Sequence, residues 1–262
     1  MAAPGPAAAS EGFAVIVTTR DRPALLADAL RSVAAQTLAP LEVVVANDGE
    51  QEVDQALASA GSLPIRMVPV SARLPAAARN RAAETTSASW LALLDDDDLW
   101  RPDHLAGLAS GLARPEVEVA YRDCEVIREE IAPDGKRVVR ERLTIARDWD
   151  DAVMRENDYL PPSAMAVRRS AWQRLGGFDE SFACSEDWDF LLRASTTARP
   201  TRVPGIGAEI RLRLRGNASA DFGELRRACL DRLAARHELP PLVMKTFWEV
   251  ALDLRLDAAR PR

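Results

Sequence analysis

The first 112 residues alternate short apolar runs with stretches of helical spacing, and this order restricts the possible folds more than any other feature. Runs rich in valine, isoleucine and leucine predict buried strands at 13–18, 41–46, 65–70 and 90–94. A segment with helical spacing follows each run. The first of these segments ends near residue 36, and the others cover 52–60, 75–86 and 102–112. Strands that alternate with helices predict a parallel, doubly wound sheet.

Polar side chains follow three of these strands, at the point where each strand ends. The polar segments are 18–20 (Thr-Thr-Arg), 47–48 (Asn-Asp) and 95–98 (four aspartates). In open α/β sheets, ligands bind beyond the carboxyl ends of the strands. We therefore expect the three segments to form one binding site.

The four aspartates at 95–98 point to a charged ligand, because adjacent carboxylates repel one another unless a positive group lies close to them. Mg²⁺ and Mn²⁺ prefer oxygen ligands and are commonly held by one or two carboxylates together with substrate phosphates. The alternative without a ligand is a solvated acidic turn in which Asp98 caps the next helix. The position of the run, directly after a buried strand, favours the metal site.

The chain after residue 112 has a different pattern. Segments 117–131 and 136–143 flank the turn signal Pro133-Asp134-Gly135 and predict a long hairpin. Strands are expected at 164–167 and 210–214. Helices are expected at 169–175, 186–194, 222–237 and 242–256.

Composition and charge exclude several classes of protein. The chain carries 34 basic and 40 acidic residues, a net charge of −6, so a general nucleic-acid binder is not expected. It contains no apolar run long enough to span a membrane, and residues 1–11 look like a disordered leader without the features of a signal peptide. Its three cysteines form no CxxC pair, which favours a reducing cytoplasm. The composition is also compatible with a protein that contacts a membrane surface peripherally.

Four segments, in this order, resemble the family-two glycosyltransferases, which have the GT-A fold. They are VIVTTRDRPALLADALRSVAAQTLAPLEVVVANDG, LPAAARNRAA, LLDDDDLWRPDHL and RRSAWQRLGGFDESFACSEDWDFLLRAS. The resemblance covers about residues 13–195 and implies an α/β, GT-A-like fold with a Rossmann-type, mostly parallel sheet flanked by helices. It divides the chain into a nucleotide-sugar-binding half at 12–112 and an acceptor-binding half at 113–220. A C-terminal helical extension follows at 221–262.

The resemblance assigns donor contacts to several residues. Thr18 and Arg20 would line the nucleotide pocket, and Asp48 would hydrogen-bond the uracil or the ribose. Arg79 would help to hold the nucleotide, and Asp96 would lie near the ribose.

The acidic run looks like the DxD motif of the family. Asp95 and Asp97 match its two acids, with Asp97 as the principal ligand of Mn²⁺ or Mg²⁺. Family members often carry a histidine in a segment like IRLRLRGNAS, where this chain has Arg213. Arg213 could clamp the diphosphate instead, since a guanidinium binds phosphate in a bidentate manner. The alternative without a functional role is that Arg213 is a solvent-exposed residue of an edge strand.

The pair Glu186-Asp187 resembles the Glu-Asp pair in the acceptor-side segment of the family. Within this pair, Asp187 matches the catalytic base. We expect Asp187 to be ionised at neutral pH, because a helix N-terminus favours negative charge. Simple helix capping is the alternative reading of this pair. Trp100 is the candidate for stacking on a sugar ring, and packing in the core is the alternative role for its side chain. His104 is expected on a solvated helix face.

The sequence therefore predicts an inverting, metal-dependent glycosyltransferase. Its donor would be a nucleotide sugar, most simply a UDP-sugar, and its acceptor a hydroxyl on a glycan, a lipid-linked molecule or a small molecule. A non-catalytic nucleotide-sugar-binding or assembly module is the second hypothesis. A nucleotidyltransferase ranks last, because no glycine-rich phosphate loop follows the first strand. The oligomeric state is not predicted.

Overall fold

The computed structural model describes residues 10–132, 137–213 and 223–258. Within these residues one sheet of nine strands forms the centre of the molecule, with helices packed on it. The strand order is β3-β2-β1-β4-β8-β6-β9-β5, and β7 pairs with β6 outside this path. The α/β class predicted from the sequence is confirmed.

The first half of the chain builds the parallel part of the sheet. Its strands and helices are β1 (Ser10–Thr19), α1 (Pro23–Ala34), β2 (Glu42–Asn47), α2 (Asp54–Ala58), β3 (Ile65–Pro69), α3 (Pro75–Glu84), β4 (Ala88–Asp95), β5 (Leu99–Trp100) and α4 (His104–Leu112). Strand β1 pairs in parallel with both β2 and β4, and β2 pairs in parallel with β3. The apolar runs form these strands because both faces are covered, which leaves Val15, Val44 and Leu93 fully buried.

The second half adds strands of mixed direction. Its elements are β6 (Val119–Ile131), β7 (Arg137–Ile145), α5 (Asp151–Met154), a 3₁₀ turn (Pro162–Ala164), β8 (Met165–Arg168), α6 (Arg169–Leu175), α7 (Glu186–Ser195), β9 (Thr201–Arg213), α8 (Gly223–Arg236) and α9 (Phe247–Ala258). Strand β8 is antiparallel to both β4 and β6, whereas β9 is parallel to β6. The sheet is therefore parallel in one half and mixed in the other.

Four sequence predictions need comment. Strand β9 begins nine residues before the predicted start at 210, and its long pairing with β6 explains why it forms despite a proline and two glycines. The predicted turn at Pro133–Gly135 and most of the predicted leader at 1–11 lie outside the described residues. His104 is fully buried and stacks on Trp100 with ring centroids 4.6 Å apart, so the prediction of a solvated position was wrong.

The C-terminal helices pack on the sheet and on the loop before α7. Helix α9 lies against β6 and β7. Helix α8 is held by Arg232, which donates to the main-chain oxygen of Ser181, and by Arg236, which pairs with Asp179. None of the helices in the described ranges has both the length and the apolar character needed to cross a bilayer.

Candidate active site

The acidic run lies where the sequence places it, at the carboxyl end of β4 and beside the end of β1. The parallel register sets Thr18 opposite Asp95. The Thr18 hydroxyl donates to Asp95 Oδ1 at 3.3 Å, and the Thr19 hydroxyl donates to Asp96 Oδ2 at 2.7 Å. Two of the three predicted polar segments therefore contact each other directly.

The acidic run is largely buried, so the alternative of a solvated turn is wrong. Asp96 and Asp98 are each 5% exposed. Burial and the charge of Asp97 raise the pKa of Asp96 to about 7. Asp98 accepts from the main-chain N–H of Arg211 at 3.0 Å, and burial raises its pKa well above the usual value. Asp98 thus ties the acidic run to β9 and does not cap α4.

Two arginines from distant segments neutralise Asp97. Arg22, at the start of α1, lies 3.0 Å from Asp97 Oδ2, and Arg213, at the end of β9, lies 2.7 Å from the same oxygen. The Arg213 side chain is only 9% exposed, which excludes the reading of a solvated edge strand. Burial and the charge of Asp95 raise the pKa of Asp97, and both arginines oppose that rise. Arg22 was not predicted as a site residue, although it stands only four residues after Thr18 in the sequence.

Arg79 joins the acidic run to the predicted catalytic helix. Helix α3 buries this side chain, which donates to Asp95 Oδ1 and to Glu186 Oε1, at 2.6 Å in each case. The two carboxylates overcome the cost of burial and raise the pKa of the Arg79 guanidinium, so it stays charged. Glu186 is itself 5% exposed, so it is part of a buried ion cluster and not a solvated helix cap.

Asp187 occupies the first turn of α7, next to this cluster. Its Oδ1 accepts the main-chain N–H of Trp188 at 2.9 Å. Burial and the charge of Glu186 raise the pKa of Asp187 to about 7. The expectation that the helix N-terminus keeps Asp187 ionised at neutral pH was therefore wrong, because desolvation outweighs the stabilisation by Arg79 and the main-chain N–H and raises the pKa.

The end of β2 forms one side of the same edge. Asp48 donates its main-chain N–H to the oxygen of Thr19 at 2.9 Å and accepts the N–H of Arg73 through Oδ1 at 3.0 Å. Asp48 is partly exposed and Arg20 is exposed, so both can meet a ligand at this edge.

Trp100 does not face the site. Its side chain is 4% exposed, and its indole N–H donates to the main-chain oxygen of Ser163 at 2.7 Å. The prediction that it stacks on a sugar was wrong, because β5 pairs with β9 and turns the ring into the core. Ser163, which the sequence analysis did not assign, also accepts the main-chain N–H of Asp95 through its hydroxyl at 3.1 Å.

The chemistry of the acidic run fits a divalent cation that is shared with a phosphate. Asp95 and Asp97 offer hard oxygen ligands, and their mutual repulsion is the kind that a cation relieves. No group of three or more acidic, histidine or cysteine side chains in the described residues is arranged as a complete metal centre. In the structure the two carboxylates are paired with arginines, Asp95 with Arg79 and Asp97 with Arg22 and Arg213.

Comparison with known proteins agrees with this geometry. The family model for "Glycosyl transferase family 2" matches residues 14–176, which is more than half of the chain. The chain belongs to glycosyl transferase family 2. Among curated relatives, the uncharacterized glycosyltransferase YwdF of Bacillus subtilis is 32% identical over 242 residues, covering 90% of this chain and 87% of YwdF. The succinoglycan biosynthesis protein ExoO of Rhizobium meliloti is 26% identical over 244 residues, covering 79% of this chain and 66% of ExoO.

Solved structures share the GT-A fold of this family-two glycosyltransferase. The mannosyltransferase PcManGT of Pyrobaculum calidifontis, in complex with GDP-Man and Mn²⁺, superposes with a TM-score of 0.64 at 20% identity, covering 98% of this chain and 71% of that chain. TarS of S. aureus, in complex with UDP-GlcNAc, superposes with a TM-score of 0.62 at 18% identity, covering 85% of this chain and 66% of that chain. The predicted family and fold are confirmed, and the nucleotidyltransferase hypothesis is set aside.

Proposed function

We propose that this glycosyltransferase moves a sugar, with inversion, from a nucleotide-sugar donor to a hydroxyl group of a glycan, lipid-linked or small-molecule acceptor. The observation that carries the proposal is the double ion pair of Arg79 with Asp95 and Glu186. It joins the strand end that would hold the donor diphosphate to the helix start that carries Asp187. A donor and a general base can therefore meet in one polar cluster.

The nucleotide would lie along the ends of β1 and β2. Thr18 and Arg20 would line its pocket, Asp48 would accept hydrogen bonds from the base or ribose, and Asp96 would lie near the ribose. We favour UDP as the nucleotide, and the TarS complex with UDP-GlcNAc supports that choice. The PcManGT complex with GDP-Man makes a guanine nucleotide the competing donor.

The leaving diphosphate needs positive charge. Mn²⁺ or Mg²⁺ held by Asp97 and Asp95 would supply Lewis-acid stabilisation of that group when bound. Arg213 lies 2.7 Å from Asp97, and its guanidinium would contact the diphosphate as well. Arg79 holds Asp95 in place, so that its carboxylate keeps one orientation.

The proposed reaction has one chemical step. The acceptor oxygen forms a bond to the anomeric carbon of the sugar while the bond from that carbon to the diphosphate oxygen breaks. The acceptor proton passes to Asp187, for which we assign Oδ2, because Oδ1 already accepts the N–H of Trp188. Attack from the face opposite the leaving group inverts the anomeric centre, and no covalent enzyme intermediate forms.

A thermal-shift panel of UDP, GDP, CDP and ADP, each with and without Mn²⁺, tests donor binding. We expect one nucleotide together with Mn²⁺ to raise the Tm by about 5 °C or more at saturating concentration, and Mn²⁺ alone to have little effect. Asp97→Ala should lose the Mn²⁺-dependent part of the shift. Asp54→Ala, at an exposed acid of α2, is the matched control and should keep it. A full shift in Asp97→Ala would refute the metal assignment.

Turnover separates an enzyme from a binding module. Donor hydrolysis and transfer should both fall by roughly 10²- to 10⁴-fold in Asp187→Asn, because the acceptor hydroxyl loses its general base. The nucleotide-induced Tm shift should survive in that variant. If the wild-type protein binds a donor but neither hydrolyses nor transfers it across many acceptors, the non-catalytic module is the correct reading.

A further inference from the structure

The acidic run is held on both sides by one buried serine. The hydroxyl of Ser163, in the 3₁₀ turn before β8, accepts the main-chain N–H of Asp95 at 3.1 Å. The main-chain oxygen of the same serine accepts the indole N–H of Trp100 at 2.7 Å. Within the run, the N–H of Asp98 donates to the main-chain oxygen of Asp95 at 3.1 Å. The run is therefore a fixed reference for the strand that packs beside it.

Strand β9 meets the run through the side chain of Asp98, a residue that the proposed mechanism does not use. The antiparallel pairing of β5 with β9 ends at Leu99 and Glu209. Beyond that pair, the main-chain N–H of Arg211 donates to Asp98 Oδ1 at 3.0 Å. A buried N–H needs a partner, and here the side chain takes the place of a main-chain oxygen, because the chain turns from β4 into β5.

The bond to Asp98 lies two residues before Arg213, which is the last residue of β9. The Arg213 guanidinium reaches Asp97 Oδ2 at 2.7 Å. Strand β6 holds the other edge of β9 along most of its length, so Asp98 supplies the hydrogen bond on the edge that faces the acidic run. The contact between Arg213 and Asp97 therefore depends on where Asp98 holds the strand end.

A second buried carboxylate holds β9 farther from the site and offers a comparison. Asp123 Oδ2 accepts the main-chain N–H of Gly205 at 2.9 Å, and the same carboxylate pairs with Arg202 at 2.6 Å. Asp123 is 6% exposed and Asp98 is 5% exposed, so the two are equally buried. Gly205 lies eight residues before Arg213 in the sequence. Both carboxylates hold the same strand, and only Asp98 holds it next to the acidic run.

We propose that Asp98 is a positioning residue, which holds the end of β9 so that Arg213 stays against the acidic run and contacts the donor diphosphate. Asp98 acts as a hydrogen-bond acceptor for the N–H of Arg211, and this role needs its oxygen and not its charge. Asp98 itself does not touch the donor. The proposal rests on the sugar transfer proposed above, because the contact of Arg213 with the diphosphate belongs to that function.

Calorimetric binding of two ligands in the presence of Mn²⁺ tests the proposal. The ligands are the nucleoside diphosphate that the thermal-shift panel selects, UDP in the favoured case, and the matching nucleoside, which lacks the diphosphate. In Asp98→Ala the Kd for the diphosphate should rise about tenfold, because the charge-assisted contact of Arg213 is lost. The Kd for the nucleoside should stay within about twofold of wild type. Asp98→Asn should keep both Kd values within about threefold, because its amide oxygen still accepts the N–H of Arg211.

Two controls separate positioning from a general loss of structure. Asp123→Ala removes an equally buried acceptor of a β9 N–H and should leave the Kd for the diphosphate within about twofold of wild type. In an Arg213→Met background, Asp98→Ala should cause no further loss beyond about twofold, because the residue through which it acts is gone. Equal losses in Asp123→Ala and Asp98→Ala, or an additive loss in the double variant, would overturn the proposal. A loss in Asp98→Asn as large as in Asp98→Ala would overturn it too, also where Asp98→Ala does not fold and wild type is the reference.

Amide hydrogen exchange separates this proposal from the function it rests on, because it needs no ligand. The amide of Arg211 should exchange about tenfold faster in Asp98→Ala than in wild type, and Asp98→Asn should keep the wild-type rate within about twofold. If wild type binds no nucleoside diphosphate, the proposed sugar transfer fails, and this difference in exchange still supports the holding of β9 by Asp98. Equal exchange in all three proteins would overturn that role. If the diphosphate binds wild type and Asp98→Ala equally well, the positioning role fails alone.

Discussion

At the scale of single residues, burial decides the chemistry of this site. Asp187 and Asp96 both have a pKa raised to about 7, because each lies in a poorly solvated position beside another carboxylate. A general base whose pKa lies near the working pH combines a useful ionised fraction with a strong affinity for the proton. The raised pKa of Asp187 is therefore compatible with its proposed role.

The first prediction concerns the pH dependence of transfer. Asp187 can accept a proton only when it is ionised, so the rate should rise with pH and pass its midpoint near pH 7. The measurement is kcat/KM for the acceptor from pH 5.5 to 9. The residual rate of Asp187→Asn should lack this midpoint. A wild-type rate that is flat between pH 6 and 8 would contradict the assignment.

The second prediction concerns His104, whose pKa burial lowers to about 3. The unfolded chain binds a proton at His104 near pH 6.5 and the folded chain does not, so folding stability should fall as the pH drops below 6.5. The loss from this group is about 1.4 kcal/mol per pH unit between those two values. His104→Leu should remove this slope, as measured by urea unfolding from pH 6.5 to 5. Identical slopes in the two proteins would show that His104 is not the cause.

At the scale of secondary-structure elements, ion pairs between distant segments assemble the site. Arg79 connects α3 with β4 and α7, and Arg213 brings the end of β9 to the acidic run. Breaking a buried pair from one side is costly, because an uncompensated charge stays behind in the core.

The third prediction follows from that cost. Arg79→Met leaves Asp95 and Glu186 without their shared cation and should lower the free energy of unfolding by about 3–5 kcal/mol. Arg81→Met, on the same helix, removes an exposed arginine paired with Glu84 and should cost less than about 1 kcal/mol. Urea denaturation at pH 7.5 measures both. Similar losses in the two variants would contradict the role of Arg79.

At the scale of the whole molecule, ion pairs connect the C-terminal helices to α7. Asp189 of α7 is fully buried and lies 2.8 Å from His237 Nε2, 2.8 Å from Arg193 and 3.3 Å from Arg236. This cluster joins the C-terminal extension to the element that carries Asp187. The helices are therefore part of the packed molecule.

The fourth prediction tests this connection. Asp189→Asn keeps the size of the side chain but removes its charge, and it should lower the free energy of unfolding by about 3 kcal/mol. It should also expose the C-terminal helices to limited proteolysis earlier than in wild type. Asp231→Asn, at an exposed ion pair of α8, should change stability by less than about 1 kcal/mol. Equal proteolysis of both variants would show that Asp189 does not hold the extension.

Local pattern was sufficient to predict the elements of the first half except β5, together with the polar ends of its strands. Periodicity depends on near neighbours in the chain, and the parallel register then brings Thr18 to Asp95 without further information. The same information was insufficient for Trp100 and His104. Their burial depends on the pairing of β5 with β9, more than one hundred residues later.

The amino-acid sequence by itself determined the α/β class, the family and the acidic run at the end of β4. Only the tertiary structure decided which charges meet: Arg79 with Glu186, Arg213 with Asp97, and His237 with Asp189. It also decided the raised pKa of Asp187 and the hydrogen bond from Arg211 to Asp98. The physical reason is that desolvation and charge pairing depend on three-dimensional neighbours, which no spacing along the chain encodes.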